Sequence, residues 1–343
     1  MINSFRNLAL TFILFFVPVQ SFTQSPFSDR IDSLITTGID QTLRCEFDSA
    51  MVTFNILKDK KPEHIVGYFY LAATLQSEMM DYESDSRKDE FYSLIDKAVH
   101  VGELQVQIDE NDSWTHFYLG TTYLYKGMFQ AKSGSLISGF ISAKNGIAHL
   151  KQALQIDSTL YDAYLGLGSY EYWSGRLYKY LKWLPWIKDN RKEGVKKLRL
   201  AVQKGTFSKW IGINSLAWIE YDRKNFFQSL MLFRRGLRKY PESRFFLWGY
   251  ADCLFMLKDY KGAVFVYQKL LEDIKTTTPN YGYNEAEIRR KLMLSFFGLR
   301  LYDLCVEQAN LILKLNPDKK IEKRIKKHKK QAKEYIKRCK GSG

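Results

Sequence analysis

Small and apolar residues return along this chain at fixed intervals, and the intervals set its elements. Gly38, Ala50, Phe54 and Pro62 are separated by 12, 4 and 8 residues, and Ala217, Ser229, Phe233 and Pro241 repeat those steps. Ala251, Ala263 and Tyr267 repeat the first two, and Met293, Cys305, Ala309 and Pro317 give a looser version. Matching positions of successive units, such as Ala217 and Ala251, lie 34 residues apart. A fixed period of this length is the sequence signature of a repeat array, each unit a helical hairpin that stacks on the next.

In the centre of the chain the period lengthens in an orderly way. Ala72, Gly120 and Gly168 are 48 residues apart, and so are Ala98, Gly146 and Gly194. Each of these three units is a normal repeat with 14 residues added between its helices. Shared evenly, that lengthens each helix by seven residues, about 10 Å at 1.5 Å per residue. The tip of the third long hairpin then falls in RLYKYLKWLPWIKDNRK, residues 176 to 192, with Pro185 near the turn. Two readings of that tip stay open. In one, Trp183 and Trp186 pack on Leu136, Ile137 and Phe140 of the preceding tip; in the other, they contact a partner or membrane surface, with Lys179, Lys182 and Lys188 around them.

The chain ends differ from this body. Arg6 precedes an apolar run from Leu8 to Val19, too short for a bilayer span of roughly 20 residues, so residues 1–23 read as a signal peptide. From Asp318 to Gly343 there are twelve Lys or Arg against three acids, so nine of the net +15 charges sit in this tail. Ile321, Ile325, Ala332, Tyr335 or Ile336, and Cys339 recur there at helical spacing, which predicts a basic capping helix over 318–343. Its charge suits peripheral contact with anionic lipid or an acidic partner. An export signal and a mildly basic body argue against nucleic acid.

Tyr68 with Leu71, and Tyr164 with Leu167 and Gly168, complete the pattern. From about Ser33 to Pro317 the chain resembles the tetratricopeptide repeat (TPR) superfamily. Residues 24–317 are then expected to be all-α: a right-handed α-solenoid of about seven antiparallel helical hairpins, the three central ones elongated. The run DAYLGLGSYEYW, Asp162 to Trp173, also resembles bacterial relatives of an outer-membrane and inclusion-body-clearance TPR family. Carried over from the superfamily, the concave groove falls on Trp114, Phe117, Tyr125, Tyr172, Trp173, Trp218, Tyr221, Phe245, Trp248 and Phe255. Peptide-binding members often offer Asn, Lys and Arg there, and this mostly aromatic list departs from a carboxylate clamp. Such a lining is either core, filled from within, or a site for an apolar peptide or partner helix.

Chemistry-bearing motifs are lacking. His64, His100, His116, His149 and His328 form no HExxH or other metal-ligand spacing, and there is no Walker A loop or GxSxG elbow. Cys45, Cys253, Cys305 and Cys339 form no CxxC, and spacing alone does not pair them. The expectation is a non-enzymatic interaction scaffold, without cofactor or metal, exported to the periplasm or cell envelope. The rival expectation is a carrier of a hydrophobic small molecule or lipid.

Overall fold

The computed structural model describes residues 25–177, 188–277 and 282–341. Among them fifteen α-helices follow in order, with no strand. The first four are α1 (Asp29–Leu43), α2 (Phe47–Lys60), α3 (Ile65–Asp81) and α4 (Lys88–Ile108). The long central pair α5 (Ser113–Lys132) and α6 (Leu136–Ile156) is followed by α7 (Ala163–Leu177) and α8 (Arg191–Lys204). Then come α9 (Lys209–Asp222), α10 (Phe226–Lys239), α11 (Arg244–Met256), α12 (Tyr260–Thr277), α13 (Gly282–Gly298), α14 (Tyr302–Lys314) and α15 (Lys319–Lys340). The first fourteen pair into seven hairpins, each packed on the next, and α15 lies across α13 and α14. No described helix is long and apolar enough to cross a membrane.

The glycine spacing has a direct structural cause. A Cβ on Gly120 would stand 2.8 Å from the Gly146 carbonyl oxygen, and one on Gly146 would stand 2.6 Å from that of Gly120. Gly168 and Gly194 repeat the arrangement at 2.6 Å in both directions. The paired helices touch backbone to backbone at these points, which only a missing side chain permits. In the first, short hairpin a flat ring lies on the glycine instead, Phe54 on Gly38, and between the fifth and sixth hairpins Phe233 lies on Gly249 in the same way.

The inserted residues are not spent alike. In the third hairpin α5 and α6 have 20 and 21 residues against 14 each in α9 and α10, so both helices grow as expected. In the second, α4 grows to 21 but α3 only to 17, and the remainder forms the turn at 82–87. In the fourth, the added stretch coincides with 178–187, which lies outside the described residues. So do Lys179, Lys182, Trp183, Trp186 and the leader over 1–23.

Hairpin turns share one closure that the sequence pattern does not announce. Cys45, Glu83, Gly134, Lys224, Lys258 and Arg300 all have positive φ, between 50° and 92°. Each sits just past a first helix, and the next residue donates its N–H five residues back: Glu46 to Gln41, Ser84 to Met79, Ser135 to Gln130, Asn225 to Glu220, Asp259 to Leu254 and Leu301 to Phe296, all at 2.9–3.0 Å. These bonds satisfy carbonyls that a helix end leaves orphaned. Only one of the six residues is glycine.

Candidate functional site

The concave side was the expected binding surface, so what faces it decides the chemistry available. The row of hairpins does not stay open. The turns of the first two hairpins meet the connections that follow the fifth, sixth and seventh. Arg244, 4% exposed at the start of α11, is the centre of this contact. Its Nε donates to Asp81 Oδ2 at 2.8 Å, and its Nη1 donates to Asp273 Oδ2 at 2.6 Å and Thr277 Oγ1 at 2.9 Å. Burial pushes the Asp81 carboxyl up, against the lowering pull of Arg244. Asn284 of α13 donates to the Asp81 carbonyl at 2.8 Å.

Weaker contacts widen the closure on both sides. Tyr240 donates to Asp40 at 2.6 Å, and Phe47 meets Phe245 edge-on at 6.2 Å between centroids. On the other side Arg324 and Lys320 of α15 bind Glu83 and Asp85 at 2.6 and 2.5 Å. Residues more than 160 positions apart thereby lock one turn of the solenoid against the next.

Against that closure the ten groove aromatics have different fates. Trp114, Phe117 and Tyr172 are buried in the core. Trp114 packs edge-on against Phe117 at 5.5 Å and Phe207 at 5.8 Å, and Tyr172 donates to Asp222 at 2.6 Å. Tyr125, Trp218, Tyr221, Phe245, Trp248 and Phe255 are half-buried. Of these, Trp218 meets Phe233 and Tyr221, Tyr125 meets Phe69, and Phe255 meets Tyr260, each within 5.2–5.7 Å. Trp173 alone among the ten has an exposed side chain.

Polar groups on the first helices of the last hairpins are satisfied by one another. Asp252 accepts from Tyr267 at 2.5 Å and Lys291 at 2.8 Å. Glu287 binds Arg290 and His328; burial opposes its charge, but those hydrogen bonds and the nearby cations hold it at about 2. Sequence reasoning missed this network, the Arg244 clasp, and the His116–His149 pair, whose Nδ1 atoms lie 3.0 Å apart. Their partners are far apart in the chain and carry no common motif. Among the described residues no three His, Cys, Asp or Glu side chains gather as a metal would need.

Two outer features of the described residues bear on contact with a partner. The tip of the third hairpin exposes Leu136, Ile137 and Ile141 at 69%, 79% and 54%. Along α15, Lys323, Lys326, Lys330, Lys333 and Lys337 are exposed on one face, with no carboxylate partner among the described residues. Lys323, Lys326, Lys330 and Lys333 also line a shallow depression with Arg324, Lys327, Lys329 and Glu322.

Seven hairpins in a row, crossing at small residues and capped by a polar-faced helix, decide the architecture. The fold is a TPR-like α-solenoid. No protein-family model matches the sequence, and no curated protein matches it. Among solved structures the chain is similar to a thermophilic TPR protein from Thermus thermophilus, with 15% identity over 66% of this chain and 99% of that one, at TM-score 0.42. It is similar to the C-terminal part of a TPR repeat-containing protein from Cytophaga hutchinsonii, with 18% identity over 85% and 96%, at 0.45. A human IFIT1 dimer with m7Gppp-AAAA matches at 12% identity over 90% and 72%, at 0.46. At these scores the TPR-like fold rests on the helix order and crossings above, not on the likenesses.

Proposed function

We propose that the protein is a non-enzymatic interaction scaffold of the cell envelope that holds a protein or peptide partner by apolar complementarity. The observation that carries this reading is the exposed apolar tip at Leu136, Ile137 and Ile141. Exposed apolar clusters on a soluble surface are costly to maintain and mark contact sites. Trp173, 45% exposed at the tip end of the neighbouring hairpin, supplies the large, low-entropy contact area typical of interface anchors. The half-buried aromatics of α9 and α11 would extend the same surface into the groove if the clasp opens. Location at the envelope follows from the leader pattern at 1–23.

The basic tail gives this scaffold a second contact, with anionic lipid headgroups. The turn at 82–87 stands between the two outer features. It binds α15 through Glu83 and Asp85, and just beyond it Phe91 packs on Phe129 of α5 at 4.8 Å between centroids. The lysine stripe of α15 supplies the electrostatic attraction for peripheral contact with anionic headgroups.

The experiment is crosslinking and affinity capture from envelope fractions with the triple variant Leu136→Ser, Ile137→Ser, Ile141→Ser. All three side chains are solvent-exposed, so thermal stability should be unchanged while partner capture falls. Unchanged capture rejects the tip as the partner contact, and a lipid that co-purifies stoichiometrically in native mass spectrometry with no partner captured rejects the scaffold and favours a hydrophobic-ligand carrier.

A further inference from the structure

Two of the four cysteines face each other. Cys305, in the first turn of α14, and Cys339, one residue from the end of α15, lie with their sulfur atoms 3.2 Å apart, although 34 positions separate them. Both are buried, at 0% and 4% exposure. The other two cysteines are engaged elsewhere. The Cys253 thiol donates to Ser229 Oγ at 3.2 Å, and Cys45 holds the left-handed position of the first hairpin turn. A disulfide has sulfurs about 2.05 Å apart, so this pair lacks about 1 Å of approach, within reach of a small side-chain rotation.

The surroundings say what such a bond would hold. α15 is the last of the described elements. Its apolar seam of Ile325, Ala332 and Cys339 is buried, whereas its outer face is mostly lysine. At its C-terminal end Arg338 lies over the Phe297 and Tyr335 rings at 4.5 Å, and the Cys305–Cys339 contact is the last buried one among the described residues of the helix. Terminal helices fray, and this one carries strong self-repulsion.

We propose that Cys305 and Cys339 form a structural disulfide that staples the capping helix to the last hairpin. In the docked protein burial pushes the Cys305 thiol up to about 12, so few thiolates are present there and the reaction runs through the helix end. Cys339, reached when the last turn of α15 opens, loses its proton and attacks a disulfide oxidant, either a small-molecule disulfide or a disulfide oxidoreductase. One oxidant sulfur leaves as a thiolate. Cys305, deprotonated in turn, attacks Cys339 in the mixed disulfide and releases the second oxidant thiolate. Two S–H bonds break, one S–S bond forms, and two electrons and two protons reduce the oxidant to two thiols. Use of the site in the cell rests on the export reading above; the pairing chemistry does not.

The test refolds the reduced full-length chain in a mixture of oxidised and reduced glutathione, alkylates free thiols, and maps peptides by mass spectrometry. The expected result is two alkylated cysteines instead of four, an intact mass before alkylation lower by two hydrogen atoms, and a single linked peptide pair containing Cys305 and Cys339. Cleavage between α14 and α15 should then release the helix only after reductant is added. Cys339→Ser should restore release without reductant while helix content is kept. Four free thiols after refolding, or a linkage through Cys45 or Cys253, overturns the proposal. Linkage in vitro with both thiols free when trapped in intact cells supports the pairing and overturns the export reading instead.

Discussion

Lys224 holds a φ of +65° in the turn between α9 and α10, a region that costs a side chain with a Cβ roughly 1–2 kcal/mol. Its N–H is bonded to the Tyr221 carbonyl at 2.9 Å, and its side chain is exposed, so nothing but the backbone bears on a replacement. Lys224→Gly removes the Cβ strain and adds about 0.5–1 kcal/mol of unfolded-state entropy, so a net gain of up to about 1 kcal/mol is expected in urea unfolding. Lys224→Val should lose stability, since a β-branched side chain is the worst occupant of that region. His64 offers a second test. Its Nδ1 accepts the Val66 N–H at 3.1 Å and caps α3, a bond only the unprotonated nitrogen accepts. Burial lowers its folded pKa to about 4, against 6.5 for the free side chain. Between those values the unfolded chain binds the proton and the folded chain does not. The stabilisation is therefore complete above about pH 6.5 and is lost progressively as pH falls towards 4, by about 3 kcal/mol at most. His64→Asn keeps a capping oxygen without the titration, and the difference between the two stability–pH curves should be flat above pH 7 and open below 6.5. Curves that stay parallel to pH 4 reject the assignment.

At the scale of the element, the hairpin spacing was legible because it reports a steric event. Gly120 with Gly146, and Gly168 with Gly194, mark points where two backbones touch, and only small residues allow that contact. What an insertion becomes was not legible, because 14 added residues satisfy the chain equally as two helical turns on each side, as in α5 and α6, or as a wider turn, as at 82–87. The cap at Asp318, which accepts from the Lys320 and Ile321 amides at 2.8 and 3.0 Å, was readable as a helix start. The stripe from Lys323 to Lys337 spans about 21 Å of α15, and lysines near an anionic membrane contribute about 1 kcal/mol each. Replacing Lys323, Lys326 and Lys330 by Glu should abolish flotation with phosphatidylglycerol vesicles at low salt and leave the thermal midpoint within a few degrees. Binding by the unaltered protein should also weaken steeply as salt rises from 50 to 300 mM. Flotation that survives the triple replacement assigns membrane contact to another surface.

The whole molecule holds a relation that no local pattern encodes. Arg244 and Asp81 are 163 residues apart, in different repeats and at different repeat positions, so neither periodicity nor motif links them. Their meeting depends on the accumulated curvature of three intervening hairpins, a sum of small rotations that composition does not reveal. Trp114, Phe117 and Tyr172 are packed by nearer neighbours, Phe207 against Trp114 and Asp222 against Tyr172, so the sequence shows that an aromatic faces inwards but not how much of it the adjacent hairpin covers. The clasp gives this a measurable form. Asp81 and Arg244 form a buried ion pair, joined by the half-buried Asp273, and removing the cation strands a carboxylate whose side chain is only 2% exposed. Breaking such a pair from one side costs about 3–5 kcal/mol, whereas replacing both partners by apolar groups is often neutral. Arg244→Met should therefore lower stability by several kcal/mol in urea unfolding, and the double variant Arg244→Met, Asp81→Leu should recover most of the loss. If the clasp sets the spacing of the solenoid turns, the single variant should also show a larger radius of gyration in small-angle scattering, and Trp218 and Trp248 should become more accessible to a fluorescence quencher. A stability loss with unchanged dimensions would mean that the turns are held together by the flanking contacts, Tyr240 with Asp40 and Arg324 with Glu83, and that Arg244 only fills the space between them.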